Sequence, residues 1–515
     1  MEAKTIQKVH EITNHVHENA KEYYLTRPLV TLESSIVLPS RNAKHTFKIA
    51  YDIKDVLTIG ALTNSSVLMT GGTDRGKTTI AKLVMNALFA DKWHRLDIDT
   101  DFGKSMIEDV DFTAIQEGKK TSEMYSLQKF LSHPGLILDE MNRSHSKISN
   151  KLLRIFDGDG VFSNGERAKL GVKDLKGNFY QFRVAAINEG QEYGGTFEID
   201  QALRRRNVIE VPLDIFPLTP QDRYNIRRSR ERDLNGVNSK SYLDDILTIK
   251  DQIAKLPMQT VADMYIAYLE SFDYCKNSPT KDKGGVEVRG GNLTHICSPT
   301  EEAGCEFYKS FENHLCPHVR GVSAGISKNI IAVAQGFSAL RATKFAEMVD
   351  NFSRGIYTGV GKFIISEPAK FENSLQEFTQ SDLRGGELAG KAVCRYIENL
   401  SVLKEDIEAA FCFVGYSKVG ISQGWIKKHY QGNRFEALRA FLKSSGEKFT
   451  QGLVKYGNEI EQIVANRKIP NNISDIENYC TRENPWLWKV IEPYLEQPTN
   501  GTVMSLPLLY GYGSG

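Results

Sequence analysis

Gly71-Gly-Thr-Asp-Arg-Gly76-Lys77-Thr78 constrains this chain more than any other stretch. It fits G-x-x-x-x-G-K-[ST], the phosphate-binding loop. Ser66-Val-Leu-Met-Thr70 before it reads as a buried strand, and Thr79–Phe89 after it reads as a helix. That strand–loop–helix setting is the one the motif requires. Glycines let successive backbone N–H groups turn inward onto phosphate oxygens, and the helix N-terminus adds its positive dipole end. The nucleotide-binding candidates are therefore Gly71, Gly72, Thr73, Asp74, Arg75, Gly76, Lys77, Thr78 and Thr79. Lys77 is expected at the β- and γ-phosphates, with the Thr78 hydroxyl on Mg²⁺. Asp74 and Arg75 stand where small residues are usual.

A second strand completes such a site. Gly135-Leu-Ile-Leu-Asp139-Glu140 is an apolar run ending in two carboxylates, about sixty residues further on. In a parallel sheet its C-terminal end faces the phosphates. Adjacent residues of a strand point to opposite faces, so the two acids take separate roles. Asp139 is expected to hold Mg²⁺, and Glu140 to orient and polarise the attacking water.

Residues 51–215 alternate short β-rich runs with helical stretches, which predicts an α/β unit: a mainly parallel sheet covered by helices. The expected strands are 67–70, 95–99, 135–139, 182–187 and 208–211. Residues 1–50 read as an N-terminal helix and an extended connector. Residues 216–365 read as a helical lid, and residues 366–515 as a helical C-terminal domain with a loose tail. In the last of these, which reads as helical, Val393, Tyr396, Ile397, Leu400, Leu403, Ile407, Phe411 and Val414 recur at three and four. The formal net charge of +1 gives no bulk attraction for nucleic acid or an anionic membrane. The longest apolar runs fall short of a membrane span, and seven cysteines without an export signal point to a reducing cytoplasm.

Asp139-Glu140-Met-Asn142-Arg143, the strand Phe182–Ile187 ending at Asn188, Gly195-Thr196, and Ala202-Leu203-Arg204-Arg205-Arg206 follow one another in order. In that order and spacing the sequence resembles the MoxR-like branch of the AAA+ ATPases, over about residues 50–215 and more weakly beyond. The resemblance implies an AAA+ core with a helical lid and ATP hydrolysis with Mg²⁺. It implies a homo-oligomeric, hexameric ring that remodels or activates a protein partner, one bearing a von Willebrand A domain among the candidates. It makes Asn188 the sensor 1 amide. Arg205 aligns with an arginine finger acting on the neighbouring subunit's γ-phosphate. Arg206 stands in place of the family's aromatic residue, so the finger is either Arg205 or Arg206. In the lid, Asn329 falls where a sensor 2 arginine is expected, with Lys328 beside it as the substitute. A second reading makes the chain a nucleic-acid motor or a GTP-using McrB-like subunit, with the segment Phe162–Tyr180 as a pore-facing hairpin. A third is a nucleotide switch in which ATP drives assembly. Phe102 reads either as a pore-loop aromatic or as a packing residue.

Cys275, Cys297, Cys305 and Cys316 fall within the lid, in an insertion over about 275–318, with His295, His314 and His318 nearby. Four thiolates suit a structural Zn²⁺ or an iron–sulfur cluster, and unliganded thiols are the third reading. Cys394, Cys412 and Cys480 read as core fillers.

Overall fold

The computed structural model describes residues 3–98, 108–143, 152–189, 201–229, 240–271, 319–353, 400–466 and 471–482, less some single positions and short loops within them. Helix α1 (Ala3–Asn19) opens the chain, followed by strands β1 (Val30–Leu38) and β2 (Ala43–Tyr51), helix α2 (Ile53–Leu62) and strand β3 (Val67–Gly71). Ile6, Val9, Ile12 and Val16, spaced at three and four, are all buried on one face of α1. The expected connector at 27–32 instead enters a hairpin of two nine-residue strands, paired antiparallel from Val30↔Tyr51 to Leu38↔Ala43. Helix α2 starts at a reciprocal cap: Asp52 Oδ1 accepts from the Lys54 and Asp55 N–H groups, and Asp55 Oδ2 accepts from the Asp52 N–H.

Helix α3 (Lys77–Phe89) and strands β4 (Trp93–Asp97), β5 (Gly135–Asp139) and β6 (Phe182–Asn188) follow, then the short helix α4 (Gln201–Arg206) and strand β7 (Ile209–Pro212). The five strands β3 to β7 form one parallel sheet in the order β7-β3-β6-β5-β4. The α/β class read from the sequence is what the chain adopts. The inner strands β3, β5 and β6 are near-continuous apolar runs because both faces of the sheet are covered there, whereas the edge strand β4 (Trp-His-Arg-Leu-Asp) is only part-buried. Val67, Met69, Ile137 and Val184 enter one apolar cluster, with α1, α2 and α3. Leu68, Leu136, Leu138, Ala185 and Ile187 enter a second, with Met141 and Leu203. Strand β4 begins two residues earlier than expected. Pairs of short strands at Asp159–Val161 with Arg167–Lys169, and at Val172–Lys173 with Phe179–Tyr180, lie between β5 and β6, where the sequence predicts a hairpin.

Beyond β7 come helices α5 (Pro220–Ser229), α6 (Leu243–Ile253), α7 (Thr260–Ser271), α8 (Ala324–Ser353), α9 (Lys404–Val414) and α10 (Arg434–Asn466). Helix α8 contains Lys328 and Asn329, where the resemblance places a sensor 2 residue. The periodic run from Val393 to Val414 is interrupted: helix α9 starts only at Lys404, Leu403 before it is extended, and Val402 bridges Met258. A tertiary strand contact overrides the helical spacing there. Helices α8 and α9 pack closely. Their contact encloses an ion pair in which Arg341 donates from Nε to Asp406 Oδ1 at 2.9 Å and from Nη2 to Asp406 Oδ2 at 2.7 Å. Both side chains are buried, at 1% and 0% exposure. Removing one partner strands a buried charge, so Asp406→Asn is expected to cost about 3–5 kcal/mol in urea unfolding. A loss under about 1 kcal/mol would mean that the site relaxes to hydrate Arg341.

Among the described residues one His/Asp group has metal-ligand proximity: His17, Asp52 and Asp55. Lys54 and Lys344 already lie 3.3 and 2.9 Å from its carboxylates, so it is an ion-pair network joining α1, α2 and α8. No helix among the described residues is long and apolar enough to cross a membrane.

Candidate functional site

Strand β3 ends in the phosphate loop, and its backbone explains the glycines. Gly71 has φ of 144° and Gly76 of 66°, both in the region that side chains disfavour. Gly76 is the N-cap of α3, so the loop's N–H groups and the helix start converge. Lys77 is buried. Its Nζ donates to Gly71 O at 2.8 Å, Gly72 O at 2.6 Å and Asn188 Oδ1 at 2.9 Å. Burial lowers its pKa, against the opposing pull of Asp214, Asp139 and Glu140. The register Asn188↔Gly71 brings the end of β6 level with the loop, which is how a residue 111 positions away reaches Lys77.

Strand β5 delivers the carboxylates. Thr78 Oγ1 donates to Asp139 Oδ2 at 2.8 Å. A hydroxyl and a carboxylate side by side are the hard oxygen donors that Mg²⁺ takes, so the pair fits that ion. Asp139 Oδ2 also lies 2.9 Å from Arg95 Nη2, and the same nitrogen reaches Asp97 Oδ1 at 2.5 Å. Glu140 leaves the strand with φ of 53°, a left-handed conformation that typically costs about 1–3 kcal/mol. Arg143 Nη1 lies 3.3 Å from Glu140 Oε2. Asn142 donates from Nδ2 to Asn188 O at 2.7 Å, fastening the turn after β5 to the end of β6.

The three arginines of α4 have different surroundings. Arg204 pairs with Glu189 and, at 3.2 Å, with the buried Glu210. Arg206 Nε donates to both oxygens of Asp157, at 2.8 and 2.9 Å. Arg205 between them is exposed and, among the described residues, pairs with no carboxylate.

Lys77, Thr78, Asp139 and Asn188 thus come together as one cluster, with Glu140 on the turn beside it. Thr73 and Thr79 are exposed on the loop and the first turn of α3, and Lys328 is exposed near the start of α8. Asp74, Phe102, Cys275, Cys297, Cys305 and Cys316 lie outside the described residues. Cys412 is buried in α9, and burial pushes its thiol up to about 12, as a core filler requires. Sequence reasoning passed over Arg95, Asn142 and Asp214. Only Asn142 stood in a motif that could have marked it.

No family model matches the chain, and no curated protein matches it. Among solved structures it is similar to a Cytophaga hutchinsonii protein described as a “putative ATPase”, at 15% identity and TM-score 0.47, over 84% of this chain and 96% of that one. It is also similar to Brucella abortus NtrX. The NtrX complex with ATP gives 16% identity and TM-score 0.23, over 41% of this chain and 43% of that one. The NtrX complex with ADP gives 18% identity and TM-score 0.24, over 41% and 44%. Likenesses this distant do not fix a family, so function has to be argued from the site.

Proposed function

We propose that this chain is an AAA+ type ATPase of MoxR-like kind, hydrolysing Mg-ATP at a site shared between adjacent copies in a ring and using the cycle to remodel a protein partner. The observation that carries the reading is the convergence of Lys77, Thr78, Asp139 and Asn188 from three neighbouring strand ends. Lys77, held over the loop by two carbonyls, meets the β- and γ-phosphates. Thr78 and Asp139 hold Mg²⁺, which supplies charge to the phosphoryl oxygens when bound. Glu140 takes up the water proton, and Asn188 orients that water. Arg205, exposed and among the described residues paired with no carboxylate where Arg204 and Arg206 are held, is the choice for the finger reaching the next copy.

The reading is tested by turnover of the purified chain against its own concentration. Mg²⁺-dependent ATP hydrolysis whose rate per chain rises as copies assemble is expected. Hydrolysis independent of concentration well below assembly would contradict a shared site. The nucleic-acid reading rests on the segment Phe162–Tyr180 as a pore-facing hairpin, and short antiparallel strand pairs at Asp159–Val161 with Arg167–Lys169 and at Val172–Lys173 with Phe179–Tyr180 support it. Stimulation by DNA or RNA with a steep salt dependence would favour it.

A further inference from the structure

The unusual Arg75 of the phosphate loop has a partner in the same chain. Its Nε lies 3.0 Å from Asp214 Oδ1, on the turn that follows β7. Asp214 does more than pair with it. Its two oxygens accept from the Gly72 N–H at 3.1 and 2.9 Å. That N–H belongs to the same peptide unit as the Gly71 carbonyl, which accepts from Lys77 at 2.8 Å. One planar peptide is therefore gripped at both ends, by Asp214 through its N–H and by Lys77 through its C=O. Gly71 leaves room for this: a Cβ there would lie 3.3 Å from the Asp214 carboxyl carbon.

Asp214 is itself held on firm support. Strand β7 pairs Pro212 with Thr70 beside the loop. Past the turn, Asp222 caps the start of α5 and pairs with Arg27 at 3.1 Å. On the far side of Arg75, its carbonyl accepts from Tyr23 Oη at 3.3 Å.

We propose that Asp214 is a positioning residue for nucleotide binding: it fixes the Gly71–Gly72 peptide, and through it the aim of Lys77, while Arg75 cancels the charge that this carboxylate would otherwise turn on the phosphates. The inference rests on the nucleotide-binding reading above. It fixes the sign of each substitution. Losing the carboxylate loosens the loop. Losing Arg75 alone leaves an uncompensated negative charge beside it.

The test is titration of a fluorescent Mg-ATP analogue (mant-ATP) into the full chain, with thermal unfolding recorded for each variant. Asp214→Ala is expected to weaken binding about tenfold, the loss of a hydrogen bond to a charged acceptor. Asp214→Asn keeps an acceptor for Gly72 and is expected to recover most of it. Arg75→Ala is expected to bind more weakly than the double variant Arg75→Ala/Asp214→Ala, an order that loss of fold would not produce. Asp214→Ala binding as tightly as the parent, or more tightly, would overturn the proposal while leaving the nucleotide-binding reading intact. A parent chain that binds no mant-ATP would overturn both.

Discussion

Glu140→Gln is expected to lower the ATP turnover of this chain by about 10²–10⁴-fold while Mg-ATP binding is kept, as read by steady-state hydrolysis beside mant-ATP titration. The substitution keeps the shape and hydrogen-bonding reach of the side chain and removes its basicity. Binding is spared because the phosphate contacts belong to other residues. Lys77, the proposed phosphate contact, is held by Gly71, Gly72 and Asn188, and the proposed Mg²⁺ donors are Thr78 and Asp139. The two acids have different partners despite their adjacency in sequence: Thr78 and Arg95 for Asp139, Arg143 for Glu140. Parental turnover in Glu140→Gln would remove Glu140 from the chemistry.

Arg205→Ala is expected to be at least as costly, about 10³–10⁵-fold in turnover, if it serves as the finger in trans. Its neighbours provide the control. Arg206 pairs with the exposed Asp157, and such surface pairs contribute only about 0–1 kcal/mol, so Arg206→Ala should leave turnover within about fivefold of the parent. Arg204→Ala should act on stability instead, because Glu210 is buried and would lose the arginine that pairs with it. Should Arg206→Ala be the damaging change and Arg205→Ala the mild one, the finger would be Arg206.

The parts of this site that could be read from sequence are those written in contiguous residues. The Gly135–Glu140 run and the run ending at Asn188 are short apolar stretches closed by polar residues, the phosphate loop is a contiguous glycine motif behind a third, and each lies at a strand end in the structure. What the sequence did not disclose is pairing across distance. Arg95 lies 44 positions before Asp139, and Asp214 lies 142 positions after Gly72. No local pattern announces either contact. Arg75 was a partial signal, since a charge in a loop of small residues needs a counter-charge, but nothing local identified Asp214. The hairpin of β1 and β2 was legible only at its start, because Ser34 stands where the apolar alternation of Val30 and Leu32 would continue. The break before α9 was hidden for the opposite reason. Leu400 and Leu403 continue a helical spacing, and the pairing of Val402 with Met258 overrides it.

Mixing two inactive chains tests the shared site most directly. Glu140→Gln chains lack the base and keep Arg205, whereas Arg205→Ala chains lack the finger and keep Glu140. Each alone is expected to be nearly inactive. In a mixed ring, an Arg205→Ala chain followed by a Glu140→Gln neighbour has Glu140 on one side and Arg205 on the other. Turnover should therefore reappear on mixing and peak near equal proportions. If the mixture stays as inactive as its components while both variants bind ATP and assemble, the site is not shared between copies.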